Sequence, residues 1–152
     1  MRKTWGYLAA GWAVLFAAVH LYWGFGGKSG LDVSAGPLAQ NRPVLFVAVG
    51  LFGVAAALLV GAVVAVLLAR LDEPPKLLLV IGAVVAWLLL VRGIGLTILM
   101  ATGVVHAGDG ITDGQLNWSY LLWNPWFILG GLCFLLAWRR ARTARPVREG
   151  TP

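Results

Sequence analysis

Hydrophobic residues fall into four long runs, separated by segments rich in glycine, proline and polar residues. The runs cover residues 5–25, 44–69, 77–100 and 120–138. A helix of about 20 apolar residues crosses the ~30 Å hydrocarbon core of a bilayer. Each run must be helical, because lipid offers no hydrogen-bond partner for backbone N–H and C=O groups. The pattern therefore predicts an all-α membrane protein with four transmembrane helices.

The composition supports this prediction. Hydrophobic residues make up 60% of the 152 residues and charged residues only 12%, against about 25% charged residues in ordinary soluble domains. A soluble fold would expose large apolar patches, whereas lipid covers them on a membrane bundle. The length suits one integral membrane domain, residues 1–152. No clean small-x-small cleavage site follows the first run, so we expect a retained helix rather than a signal peptide.

Basic residues lie mostly on one side of the predicted bundle. The N-terminus, the short loop at 70–76 and the tail at 139–152 carry nine of them, and the two long loops carry only Lys28 and Arg42. This asymmetry predicts cytoplasmic N- and C-termini in an inner (plasma) membrane. It accounts for the net charge of +6 without nucleic-acid binding. The nine residues are Arg2, Lys3, Arg70, Lys76, Arg139, Arg140, Arg142, Arg145 and Arg148.

Small residues recur at helical spacing within the runs, which lets helix backbones approach closely in lipid. The simplest fold is an up-and-down four-helix bundle with these faces inward. A homodimer contact is the alternative use of such a face. The stripes are Gly6, Ala10, Ala13, Ala17, His20 and Gly24 in the first run, Gly50, Gly53, Ala57, Gly61 and Ala65 in the second, Gly82, Ala86, Gly93 and Thr97 in the third, and Asn124 and Gly131 in the fourth.

Three polar residues inside the runs point to a candidate site. His20, Arg92 and Asn124 each lie roughly 22 to 26 Å from the cytoplasmic basic residues, counted at 1.5 Å per residue. An ionisable residue within the membrane is a functional candidate by default. We therefore expect a polar pocket open to the outer face, in which Arg92 binds a phosphate or carboxylate and His20 exchanges a proton as a catalytic residue. The aromatic residues Tyr22, Trp23, Tyr120 and Trp123 would form its walls, with Asp109 or Asp113 as a cap.

Each of these residues also has a purely structural interpretation. Arg92 would reach the outer headgroups or pair with a loop carboxylate such as Asp109. His20 would form a hydrogen bond between helices. Asn124 precedes Pro125 and would cap the start of a helix.

Other kinds of site find no support in the sequence. A haem with two histidine ligands would need His20 and His106, and the latter lies in a glycine-rich loop. The sequence has no set of zinc ligands at the spacing typical of zinc sites, and it has no P-loop motif. No Asp or Glu lies in any run, which argues against a proton-coupled exporter. Cys133 alone forms no internal disulfide and suits a packing role. We expect no cofactor and no metal.

Three short motifs carry a family resemblance: His20 to Gly27 (HLYWGFGG), Arg92 to Leu96 (RGIGL) and Leu122 to Gly131 (LWNPWFILGG). With them the chain resembles a family of small bacterial four-helix integral membrane proteins catalogued as a domain of unknown function. The resemblance extends over nearly the whole chain. It implies the fold and the membrane location, and it brings no reaction.

Two functions of different classes remain. The first is the binding or modification of a lipid or small anionic amphiphile in a pocket of the outer leaflet, centred on His20 and Arg92. The second is a non-enzymatic subunit that partners or stabilises another membrane protein or transporter. A cavity containing both His20 and Arg92 would favour the first function. A sealed bundle centre with Arg92 at the headgroups would favour the second.

Overall fold

A computed structural model describes residues 2–107 and 110–143, with the backbone alone for Arg2. In these ranges the chain is helical and forms no strand. Four of the helices are long and apolar enough to cross a membrane, which confirms the all-α prediction and indicates a multi-pass membrane protein. Three residues of the sequence predictions, Asp109, Arg145 and Arg148, lie outside the described residues.

The described helices comprise four long ones and two short ones. We number them α1 (Arg2–Gly24), α2 (Asp32–Ala35), α3 (Pro37–Asn41), α4 (Phe46–Arg70), α5 (Lys76–Ala101) and α6 (Asp113–Thr143). The first long loop, which contains α2 and α3, and the loop before α6 lie at the same end of the bundle, which we call the long-loop end. The short loop between α4 and α5 lies at the opposite end.

Helix α6 begins earlier than the apolar run that predicted it. Thr112 caps the helix, because its hydroxyl accepts a hydrogen bond from the backbone N–H of Gln115 at 3.2 Å. The Gln115 side chain in turn accepts a hydrogen bond from the Thr112 backbone N–H at 3.0 Å. This reciprocal capping box stabilises a polar first turn that hydropathy alone does not reveal.

Small residues set the close helix contacts, as the stripes predicted. A Cβ atom on Gly6 of α1 would lie 2.6 Å from the Cβ of Ala69 in α4. A Cβ atom on Gly93 of α5 would lie 3.0 Å from the backbone oxygen of Asn124 in α6. Gly131 of α6 approaches Leu90 of α5 equally closely. The first helix therefore packs on α4 and α6, and α5 packs on α6.

Aromatic rings fill the centre between α1 and α6. Trp12 is 5% exposed and stacks on Trp126 with ring centroids 5.8 Å apart. The Trp12 indole N–H donates to the Trp126 carbonyl at 2.9 Å. Gly130 lies directly against the Trp12 ring and leaves room for it. A large apolar ring with a satisfied polar edge suits a protein interior, so this stack holds α1 to α6.

Three of the long helices contain a π-helical segment. These are Phe46–Gly53 at the start of α4, Val91–Gly95 within α5, and Ser119–Trp123 within α6. Each wide turn shifts the register of the side chains beyond it. Such segments are rare in helices and frequent at functional sites.

Helices α4 and α5 pack closely near the short loop. There Leu68 of α4 packs against Gly82 of α5, where a Cβ would lie 2.7 Å from the leucine side chain. Farther toward the long-loop end an apolar crevice separates the two helices. The bundle is therefore open on one side.

Candidate functional site: a polar chamber beside an apolar crevice

A cavity of about 200 Å³, which we call the polar chamber, lies at the long-loop end of the bundle. All four long helices and the first long loop contribute to its wall. Its lining residues are Phe16, His20, Trp23, Leu31, Ser34, Ala35, Phe46, Gly50, Leu51, Arg92, Ser119, Trp123 and Phe127. His20 and Arg92, which the sequence predicts to share a site by their common depth, thus line one cavity.

Arg92 lies in the π-helical segment of α5 and turns toward α6. Its Nη1 donates a hydrogen bond to the Asn124 Oδ1 at 3.3 Å. Its guanidinium carbon lies over the Phe127 ring, 4.9 Å from the centroid. Within the described ranges no carboxylate forms an ion pair with it, and its other nitrogens have no hydrogen-bond acceptor. The guanidinium therefore brings an uncompensated charge and free donors to the chamber.

Asn124 holds the Arg92 side chain in place by accepting its hydrogen bond. The residue is 1% exposed and lies inside the continuous helix α6, with φ −64° and ψ −47°. Its Nδ2 donates to the Met100 sulfur at 3.6 Å. The alternative role as a helix cap is therefore wrong, since α6 begins at Asp113. Because the amide joins Met100 and Arg92 of α5 to α6, it positions the guanidinium.

His20 lies on the face of α1 that points into the bundle, as its small-residue stripe predicts. Its Nδ1 hydrogen-bonds to the Phe16 carbonyl of the same helix at 2.9 Å. The expected alternative, a hydrogen bond between helices, is not formed within the described part of the chain. The ring packs edge-on against Phe16 and Trp23, at 4.6 Å and 5.4 Å between centroids. These contacts fix the imidazole at the chamber wall.

The four predicted aromatic wall residues divide into two pairs. Trp23 and Trp123 line the chamber, with centroids 5.9 Å apart. Tyr22 is 49% exposed and donates its hydroxyl to Ser29, and Tyr120 is 38% exposed. Neither tyrosine is among the chamber residues. A one-residue step along a helix turns a side chain by about 100°, which separates each tyrosine from the site.

The first long loop contributes Leu31, Ser34 and Ala35 to the wall of the chamber. Leu31 of this loop is 2% exposed and packs with Trp23 and Leu51. At Gly36, which has φ 52°, a Cβ would lie 2.6 Å from the Gln115 side chain of α6. The sequence does not reveal this docking, because a positive-φ glycine fits any turn. Of the two predicted capping carboxylates, Asp113 instead lies in the first turn of α6 and is not among the chamber residues, and Asp109 is outside the described residues.

The apolar crevice has a volume of about 430 Å³ and opens between α4 and α5. Three residues, Phe16, His20 and Phe127, form walls of both the crevice and the chamber. Its rim includes Val54 and Leu88, which are exposed on the side of the bundle. The full lining is Trp12, Ala13, Phe16, His20, Val54, Ala57, Leu58, Gly61, Val85, Leu88, Leu89, Phe127 and Phe134.

The two cavities have complementary chemistry. The chamber offers a cation, an imidazole and the Trp123 indole N–H, which is buried without an acceptor among the described residues. The crevice is lined almost wholly by aliphatic and aromatic side chains. The arrangement suits a molecule with an anionic end and an apolar end. No group of three or more His, Cys, Asp or Glu residues within the described ranges could hold a metal.

Comparison with known proteins agrees with the resemblance seen in the motifs. A family model described as "Protein of unknown function (DUF3995)" matches residues 13–134, which include His20, Arg92 and Asn124. No curated protein and no solved structure gives a match. Because the matched region exceeds half of the sequence, this chain belongs to the DUF3995 family of proteins of unknown function.

Proposed function

We propose that the protein binds an anionic amphiphile from the bilayer, with the anionic headgroup in the polar chamber and a hydrocarbon chain in the apolar crevice. One observation carries this proposal: the unpaired guanidinium of Arg92 lines a chamber that shares a wall with a crevice open between α4 and α5. A charge held in a membrane without a counterion is costly. An anionic headgroup would offset that cost.

The exposed rim of the crevice supports entry from the membrane. Val54 of α4 and Leu88 of α5 line the crevice and are exposed on the side of the bundle, between two apolar helices. A lipid moving sideways from one leaflet would meet the crevice first. A cavity containing both His20 and Arg92 is also the feature expected of a binding protein rather than of a subunit with a sealed centre.

We place the protein in the plasma membrane of a bacterial cell, with both termini in the cytoplasm and the chamber in the outer leaflet. The distribution of basic residues supports this orientation. The test is thiol labelling of intact cells in a Cys133→Ser background. Lys28→Cys should react with a membrane-impermeant maleimide, and Lys76→Cys should react only after lysis. The reverse labelling would place the chamber in the inner leaflet.

Native mass spectrometry of the detergent-purified protein tests the binding itself. Arg92→Gln removes the positive charge from the chamber, and Arg70→Gln removes one at the short-loop end, where Arg70 contacts Tyr7 at 3.1 Å. A hydrogen bond to a charged group contributes about 1.5–3 kcal/mol, or roughly tenfold to a hundredfold in affinity. We expect a co-purifying anionic lipid on the wild type and on Arg70→Gln, reduced at least tenfold on Arg92→Gln.

Three outcomes would contradict the proposal. One is equal occupancy of anionic lipid on all three proteins. Another is occupancy by neutral lipids alone. The third is a second copy or a partner protein retained in place of lipid, which would favour the role of a membrane subunit.

A further inference from the structure

The tautomer of His20 restricts which chemical groups of a ligand can form a hydrogen bond with it. The Phe16 carbonyl can only accept a hydrogen bond, so the His20 Nδ1 beside it at 2.9 Å carries the proton. In the neutral imidazole the other nitrogen, Nε2, is then an acceptor. Within the described residues Nε2 has no donor. Because His20 lines the chamber, the site presents an acceptor as well as a cation.

The other unpaired polar groups in the wall are donors. The free guanidinium nitrogens of Arg92 and the indole N–H of Trp123 lack acceptors among the described residues. A simple anion would satisfy these donors, but the His20 Nε2 could interact favourably with it only after taking up a proton. A headgroup that carries its own O–H would satisfy both kinds of group. Of these groups the Trp123 indole N–H is buried, and buried polar groups are seldom left without partners.

We propose that the ligand is an anionic lipid whose headgroup carries a hydroxyl near its phosphate. Arg92 binds the phosphate oxygen, and the His20 Nε2 accepts a hydrogen bond from the hydroxyl. This inference rests on the proposed function and adds the selectivity of the same site. His20 then determines which headgroup is preferred, because its Nε2 accepts the hydrogen bond from the hydroxyl.

Lipids with matched chains test the inference on the full-length protein. The probes are phosphatidylglycerol, which has headgroup hydroxyls, and phosphatidylmethanol, which has the same charge and none. Glycerol 3-phosphate serves as a probe without chains, and phosphatidylcholine as a lipid without net charge. Native mass spectrometry measures the dissociation constant of each. We expect phosphatidylglycerol to bind roughly tenfold more tightly than phosphatidylmethanol, which is the upper end of the net effect of one hydrogen bond.

His20→Phe keeps an aromatic ring and removes both nitrogens. It should abolish the preference for phosphatidylglycerol, so that the ratio of the two dissociation constants falls to about one. Arg92→Gln should weaken the binding of both lipids alike. A merely structural role of His20 would lower both affinities together, which separates the two explanations. If His20→Phe does not yield folded protein, the ratio of the two dissociation constants measured on the wild type still tests the inference.

The possible failures are distinguishable. Equal binding of phosphatidylglycerol and phosphatidylmethanol to the wild type would overturn the hydroxyl inference and leave the proposed function intact. Failure of both anionic lipids to bind better than phosphatidylcholine would overturn the proposed function itself. The proposed function would also be overturned if glycerol 3-phosphate bound as tightly as phosphatidylglycerol, because the crevice would then contribute nothing to the affinity.

Discussion

At the scale of single residues, Arg92 is the group that needs the most explanation. An arginine within a membrane span is costly, and by insertion measurements the cost reaches about 2.5–3.5 kcal/mol at the helix centre. Among the described residues its compensation consists of one amide oxygen at 3.3 Å and one aromatic face at 4.9 Å. Both are neutral partners. The side chain therefore has capacity for an anion, which is the basis of the proposed site.

Replacing Asn124 by leucine tests how the guanidinium is held. The substitution preserves approximate volume and removes the hydrogen bonds to Arg92 and Met100. Polar contacts between membrane helices average about 0.6 kcal/mol and reach about 1.7. We expect the free energy of unfolding in detergent to fall by about 1 kcal/mol, and the occupancy of anionic lipid to fall as well. Asn117→Leu, at an exposed position of the same helix, should change neither.

A different result would assign Asn124 another role. If Asn124→Leu lowered stability and left lipid occupancy at the wild-type level, the amide would join α5 to α6 without positioning Arg92. The two measurements on one variant therefore separate packing from positioning.

At the scale of helices, the π-helical segments shape the site. Residues of all three segments line the polar chamber: Phe46, Gly50 and Leu51 from α4, Arg92 from α5, and Ser119 and Trp123 from α6. A wide turn changes which side chains face inward without ending the helix. These segments thus bring polar and aromatic groups to one level of an otherwise apolar bundle.

Two glycines of α5 provide a matched test of helix contact. At Gly93 a Cβ would meet the Ile128 side chain at 2.7 Å and two backbone atoms of α6 at 3.0 Å, whereas at Gly95 nothing lies within 4 Å. Overpacking of this kind costs about 1–3 kcal/mol. We expect Gly93→Ala to lower the unfolding free energy and lipid occupancy together. Gly95→Ala should be neutral or slightly stabilising, since alanine favours the helix.

The result for Gly93→Ala tests the packing of α5 on α6. A stable Gly93→Ala protein with normal lipid occupancy would contradict the close contact of α5 with α6 beside Arg92.

The sequence predicts the positions and packing faces of the long helices better than their π-helical segments and exact ends. Hydropathy identifies four runs, and spacing of small residues identifies the faces at Gly6, Gly93 and Gly131 that pack closely. It does not locate the π-helical segments, because a wide turn leaves no mark on hydropathy. It also misses the start of α6 at Asp113, where a polar capping box extends the helix beyond the apolar run.

At the scale of the whole molecule, the chamber and crevice together define a route from the membrane to a charged site. The common depth of His20 and Arg92 predicts that they share a site, because depth follows directly from helix rise. The crevice was not predicted, since it depends on how α4 and α5 separate beyond Leu68 and Gly82. The sequence also does not predict that Ser34 and Ala35 line the chamber, because loop packing has no periodic signal.

Filling the crevice tests that route. Ala57 lines the crevice, and its neighbour Ala56 is exposed outside it. Ala57→Trp should occupy the space of a hydrocarbon chain and lower the occupancy of anionic lipid severalfold, while Ala56→Trp should leave it unchanged. Native mass spectrometry of the two variants makes the comparison. Equal occupancy in both would mean that the ligand does not use the crevice.

Photo-crosslinking in vesicles tests the central claim most directly. The probe is phosphatidylglycerol with a diazirine in one acyl chain, compared with phosphatidylcholine carrying the same chain. We predict that the anionic probe labels residues 54–61 and 85–89 well above the rest of the surface, and that Arg92→Gln removes this preference. Labelling by the anionic probe that matches that of the neutral probe along all four helices would contradict the account.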